Sequence, residues 1–121
     1  MKDDSIALDF EDYKPVLKKK GYGIVYNTEE FPINKFEDIV LKKFAKYLYY
    51  ADSVAVNYKL NGNTDFNETV YANIQLFEYS SLEKTLVGYE YCDDILVGNC
   101  EVELLITGLD NAVILMANLL S

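Results

Sequence analysis

The spacing of apolar positions changes several times along this chain, and each change marks an element. Residues 9–20 open with Asp9 and Asp12, either of which can cap a short helix that tolerates Pro15 in its first turn and ends before Gly21. Gly21-Tyr22-Gly23-Ile24-Val25-Tyr26 then reads as a strand rich in aromatic and β-branched residues. Phe36, Val40, Phe44 and Tyr47/Leu48 recur at the helical period, and Asn34 with Glu37 has capping-box spacing ahead of them. Lys42 and Lys46 fall on the other side of that helix, with Asp38 placed to support Lys42.

The period then shortens. In Ser53–Leu60, Val54, Val56, Tyr58 and Leu60 alternate with Ala55, Asn57 and Lys59, which predicts a half-buried strand. Asn61-Gly62-Asn63 is a turn, and Asp65 with Glu68 repeats the capping-box spacing. A third helix follows, with Phe66, Val70, Ile74 and Phe77 as its expected buried stripe. Thr85–Tyr91 and Cys100–Thr107 read as strands joined by a polar loop, Asp93–Asn99, and are expected to form a terminal hairpin. After Asp110 the chain is apolar on most sides and predicts a closing helix over 110–121. The expected fold is α+β: a single domain over 1–121, with a mixed four-stranded sheet and helices packed on it in two layers.

Composition sharpens this picture mainly by what is missing. The chain has 121 residues, half of them hydrophobic, enough for one core. Ala112–Leu120, its longest nearly unbroken apolar run, is too short to cross a bilayer, and Met1–Ser5 does not resemble a signal peptide. A cytoplasmic protein is expected. There is no histidine, the usual general base and a common metal ligand, and every one of the 11 basic residues is lysine. Without arginine, bidentate recognition of phosphate or guanine is lost, and a net charge of −9 disfavours nucleic acid and acidic membrane surfaces.

The charge is also divided. Residues 1–59 are neutral overall but locally basic at Lys14, Lys18, Lys19, Lys20, Lys42, Lys43 and Lys46. Residues 60–121 set Lys84 alone against ten acids. A solvated surface explains that division, and so does head-to-tail self-association of a lysine face with an acidic one.

Catalytic chemistry finds little support in these residues. Asn61, Asn63, Asp65, Asn67 and Glu68 resemble a calcium loop only superficially, because amides stand where carboxylates are needed and Asp65 and Glu68 are already placed to cap. Gly21 and Gly23 precede a strand and not a helix, so no phosphate cradle is expected. Neither Cys92 nor Cys100 has a histidine to activate it, and two buried free thiols are expected. No cofactor or metal is expected. Asp9 and Asp12, three apart at a helix entrance, can present both carboxylates on one side.

Taken in order, these segments resemble the C-terminal domain of the FtsZ/tubulin family. The family joins its GTPase domain to that domain through a loop of pattern Asn-x-Asp-x-x-Asp, and Ala7-Leu8-Asp9-Phe10-Glu11-Asp12 resembles it with Ala7 in place of the asparagine. Ser53-Val54-Ala55-Val56-Asn57-Tyr58 is similar to the family's Gly-Val-Leu-Val-Asn-Ile strand. Val102–Leu109 resembles its last strand, with Thr107-Gly108-Leu109 as the closing triplet. The resemblance covers residues 5–109 and includes no glycine-rich nucleotide signature.

It implies a non-catalytic domain of cell-division type that binds no nucleotide alone and meets an FtsZ-like protein or another copy of itself. Asp9 and Asp12 would then serve a neighbour's GTPase site in trans. The implied contact residues are Asp9, Glu11 and Asp12, with Lys18, Lys19, Lys42 and Lys46. A fragment of a longer FtsZ-like GTPase and an unrelated homo-oligomeric α+β domain are the alternatives.

Overall fold

The computed structural model describes residues 22–109, so the acidic loop and the helix expected before Lys20 lie outside the described residues, as does the apolar segment after Asp110. Five strands form one mixed sheet: β1 (Tyr22–Asn27), β2 (Phe31–Pro32), β3 (Ser53–Leu60), β4 (Thr85–Tyr91) and β5 (Asn99–Leu109). The order across it is β1-β5-β3-β4, and the short β2 also pairs with β5. β5 is central and antiparallel to β1 and β3, while β4 lies parallel to β3 at the far edge.

This corrects the expected terminal hairpin. β4 and β5 are consecutive in sequence, but β3 lies between them and pairs with both, Val56 opposite Val87 on one side and Leu104 on the other. The helix between β3 and β4 forces that outcome, because a crossover of this kind returns the chain parallel to the strand it left. The two-residue β2 is the strand that periodicity could not reveal.

β3 is also not half-buried. Val54, Val56, Tyr58 and Leu60 face the helices, yet Ala55 and Asn57 on the opposite face are both 1% exposed. An interior strand covered on both faces loses its alternation of exposure even where its sequence keeps it. Gly108 explains the closing triplet in physical terms. Its φ is +77°, and a Cβ there would collide with the Asp52 side chain. The β1–β5 register slips beside it, between Tyr22 and Ile24, so glycine permits a bulge at the end of the central strand.

The helical segments between Ile33 and Tyr50 and from Phe66 to Tyr79 share one core cluster with Val54, Val56, Tyr58 and Leu60, on one face of the sheet. The connection after β2 starts as a 3-10 turn, Ile33–Lys35, continues as a π-helical turn, Glu37–Leu41, and ends as α1 (Ala45–Tyr50). The expected stripe is correct here: Phe36, Val40 and Leu48 are fully buried and Phe44 nearly so. The π turn, closed by Lys42 N–H donating to Glu37 O at 2.9 Å, adds a residue that lets Leu41 enter the core beside Val40. The expected capping box does not form, because Asn34 lies inside the 3-10 turn.

α2 (Phe66–Tyr79) does have its expected cap, with Asp65 Oδ1 accepting from Asn67 N–H at 3.0 Å. Its expected stripe holds only at Phe77, which is partly buried against the core, and fails at Phe66, Val70 and Ile74. Thr69, Ala72 and Leu76 face the core, while Phe66 is 70% exposed and Ile74 51%. The cause lies beneath the helix, where stacked Tyr58 and Tyr89, 5.7 Å apart, fill the sheet surface. Small Thr69 and Ala72 let α2 approach that surface, which a Phe66–Val70–Ile74 face could not do.

Candidate functional site

Asp9, Glu11, Asp12, Lys18 and Lys19 lie outside the described residues, and Lys42 and Lys46 lie inside. Both lysines are exposed on the outer side of the connection from Ile33 to Tyr50, with Lys35 and Lys43 exposed along it. Burial of Phe36, Val40, Leu41, Phe44 and Leu48 turns Lys35, Lys42, Lys43 and Lys46 toward water, so the lysine surface is a by-product of the core stripe.

Its lysines are in different states. Lys42 Nζ pairs with Asp38 at 2.9 Å. The hydrogen bond and charge of Lys42 hold the Asp38 carboxyl below its ordinary range, and Asp38 in turn raises the Lys42 pKa. Lys43 Nζ lies 4.6 Å from the centroid of the Tyr26 ring and donates to its hydroxyl at 3.3 Å. The connection ends in exposed Tyr49 and Tyr50, packed edge to face at 4.9 Å between centroids. Consecutive aromatics at the end of a short helix are the sequence signal for this exposed pair.

Lys84, the lone lysine of the acidic half, is committed to structure. It donates to Tyr49 O at 2.8 Å and Ala51 O at 2.9 Å, closing the C-terminal end of α1. Burial lowers its pKa, against the raising effect of Asp52. Glu37, beneath the lysine surface, accepts from Tyr79 OH at 2.8 Å and from Gln75 at 3.3 Å, and so ties this connection to α2.

The remaining reactive groups are quiet. Cys100 is buried, which pushes its thiol up to about 12, so the thiolate form is not reached near neutrality. Cys92 is half-buried and, like Cys100, unpaired. Asn61 and Asp65 use their oxygens to organise the turn and the α2 cap. Among the described residues no group of three or more acidic, cysteine or histidine side chains could hold a metal ion, and no helix is long and apolar enough to cross a membrane.

An α+β domain with a mixed sheet, an antiparallel central strand and a parallel edge is what these elements define. Its likeness to solved structures is to the FtsZ and CetZ proteins. An FtsZ dimer from M. jannaschii matches with a TM-score of 0.62 and 17% identity, covering 88% of this chain and 33% of that one. An FtsZ mutant from the same organism matches at 0.53 and 15%, covering 84% and 32%. CetZ2 from Haloferax volcanii, as a GTPγS-bound protofilament, matches at 0.51 and 12%, covering 92% and 38%. The chain thus spans about a third of the solved chains it matches. No protein-family model matches the sequence, and no curated protein does either. At these identities the likeness establishes the fold, that of an FtsZ C-terminal-like domain.

Proposed function

We propose that this chain is a non-catalytic FtsZ-like interaction domain that works by contact with a subunit of a cytoskeletal polymer in the cytoplasm. The observation carrying this reading is the coverage: almost the whole chain matches, but only about a third of each FtsZ or CetZ chain. The acidic loop Asp9-Phe10-Glu11-Asp12 is the surface we assign to the neighbour, with Lys18, Lys19, Lys42 and Lys46 as flanking contacts. Substitution of the loop asparagine by Ala7 suits docking without promotion of hydrolysis. The same coverage favours a second reading, in which these residues are one domain of a longer FtsZ-like GTPase, and the encoding reading frame distinguishes the two.

Co-sedimentation with filaments of an FtsZ from the same organism tests the first reading. Excess domain is expected to reduce polymer mass or length, and D9N with D12N to remove that effect. Unchanged polymer mass, length and GTP turnover at excess domain would overturn it.

A further inference from the structure

The helical segments of residues 33–50 and 66–79 lie on one face of the sheet, and the other face is buried in an unequal way. Strand registers align one row across that second face: Val25 opposite Leu105, Leu105 opposite Ala55, and Ala55 opposite Leu86. All four point away from the helices, because their neighbours Ile24, Leu104, Val54 and Val87 belong to or pack on the core cluster. The outer two, Val25 and Leu86, are 55% and 49% exposed, while the inner two are each 1% exposed. Thr107, on the same face of β5, is also 1% exposed.

Side chains stand perpendicular to a sheet, so a leucine at its centre is hidden only by what lies above it. Val25 and Leu86 are not that cover, being half-exposed themselves. A cover therefore lies over β5 and β3 and stops short of β1 and β4. The shielding is present in the single chain, so the cover comes from its own residues.

The buried stripe has the dimensions of one helix. It is two strands wide, about 10 Å, which is the diameter of an α-helix with its side chains. Along β5 it takes in Thr107 and Leu105 and gives way at the partly exposed Glu103 and Glu101. Asn57, opposite Glu103 and donating to it at 3.3 Å, marks its far end on β3. Leu105 stands four residues from the end of β5 at Leu109, a distance of about 14 Å. A helix over residues 112–120 also spans about 14 Å.

We propose that residues 112–120 of this chain form that helix and close the second face of the sheet. The segment follows β5, the central strand, so a direct reversal lays it over β5 and β3. Residues before Tyr22 would instead approach across β1, where Val25 is open. Eight of the nine residues are apolar, matching Leu105 and Ala55, whereas residues 9–20 carry seven charges. Asp110 and Asn111 suit the turn and the N-cap. On a helix, Asp110, Asn111, Asn118 and Ser121 share an arc of about 100° with Met116 opposite, which leaves a polar side for water. The inference stands apart from the proposed polymer contact, because it concerns a face the chain closes by itself, and either can fail alone.

Photo-crosslinking in the full chain tests it. p-Benzoylphenylalanine in place of Leu86 or of Val25, the exposed positions on either side of the stripe, is expected to attach to residues 112–120 from at least one of them, in a product of monomer mass. M116E is expected to lower that yield about tenfold, since it sets a carboxylate against Leu105 and Ala55. N118E, on the polar arc, is expected to leave it within about twofold. Attachment to residues 1–20 in place of 112–120, attachment between two copies, or no attachment to 112–120 would each overturn the proposal. Equal yields from M116E and N118E would do so as well.

Discussion

The two helical connections of this domain carry nearly the same apolar spacing and meet opposite fates. Phe36, Val40, Phe44 and Leu48 go into the core, while Phe66, Val70 and Ile74, at the same four-residue intervals, remain exposed. The difference lies in the other faces. Lysines at 35, 42, 43 and 46 leave the first connection one face that can be buried. α2 has apolar or small residues on more than one face, and the sheet chooses among them. Over the Tyr58–Tyr89 stack it accepts Thr69 and Ala72 in preference to larger neighbours. Apolar periodicity states that a helix has a stripe; the volume available beneath it decides which stripe is used.

The largest expected effect follows directly. F36A removes a fully buried ring that packs 5.4 Å from Tyr58, and should lower unfolding free energy by about 3–5 kcal/mol. F66A, the equivalent deletion in the second stripe, should cost no more than about 0.5 kcal/mol in monomer stability. Urea unfolding of both, at a concentration low enough to keep the chain monomeric, checks the comparison. Equal losses would place Phe66 in the core and cancel it.

Next comes a test of fit. A72L adds volume where α2 approaches the tyrosine stack and should destabilise by about 1–3 kcal/mol, while V70L should stay within about 0.5 kcal/mol. Tyr58 itself has a buried hydroxyl with no hydrogen-bond partner among the described residues, and burial raises its pKa well above the ordinary phenol value. Y58F removes that group while keeping the ring between Phe36 and Tyr89, and should stabilise the fold by about 1 kcal/mol. A loss of similar size would reveal a partner for the hydroxyl.

The two capping boxes sharpen the same contrast. Asn34/Glu37 and Asp65/Glu68 share a spacing, but Asp65 alone caps a helix. D65A should cost about 1 kcal/mol and N34A a few tenths at most, read as shifts in the unfolding midpoint.

Much of the fold was legible in the chain. The long strands, the extent of α2, the Asp65 cap and the Phe36–Leu48 stripe follow from period, β-branching and turn residues. Three features were not. The position of β3 between β4 and β5 is a long-range choice that no local window carries, and the two residues of β2 are too few to show a period. The buried face of α2 depends on Tyr58 and Tyr89, distant in sequence from Thr69 and Ala72. Of the candidate contact surface, Lys42 and Lys46 could be placed outside because their neighbours were recognisably core. The exposed flank of α2 was misassigned for the converse reason, since Phe66, Val70 and Ile74 were taken as core.

The smallest effect tests the polar face of the first connection. Asp38 and Lys42 pair at 2.9 Å with side chains 58% and 60% exposed, so water and salt weaken the attraction. The folded-state pKa of Asp38 is depressed, which means folding favours its ionised form. Its contribution to stability is therefore present above the ordinary carboxylate range and disappears as pH falls through the lower folded value. K42A removes the largest cause of the depression, the hydrogen bond from Lys42. The Asp38 carboxyl midpoint, followed by carbon NMR, should then rise toward its ordinary value, while unfolding stability at neutral pH barely moves. A midpoint unmoved by K42A would separate Asp38 from Lys42 in solution. Lys42 would then be as uncommitted as its exposure allows, and the lysine surface correspondingly more available to an acidic neighbour.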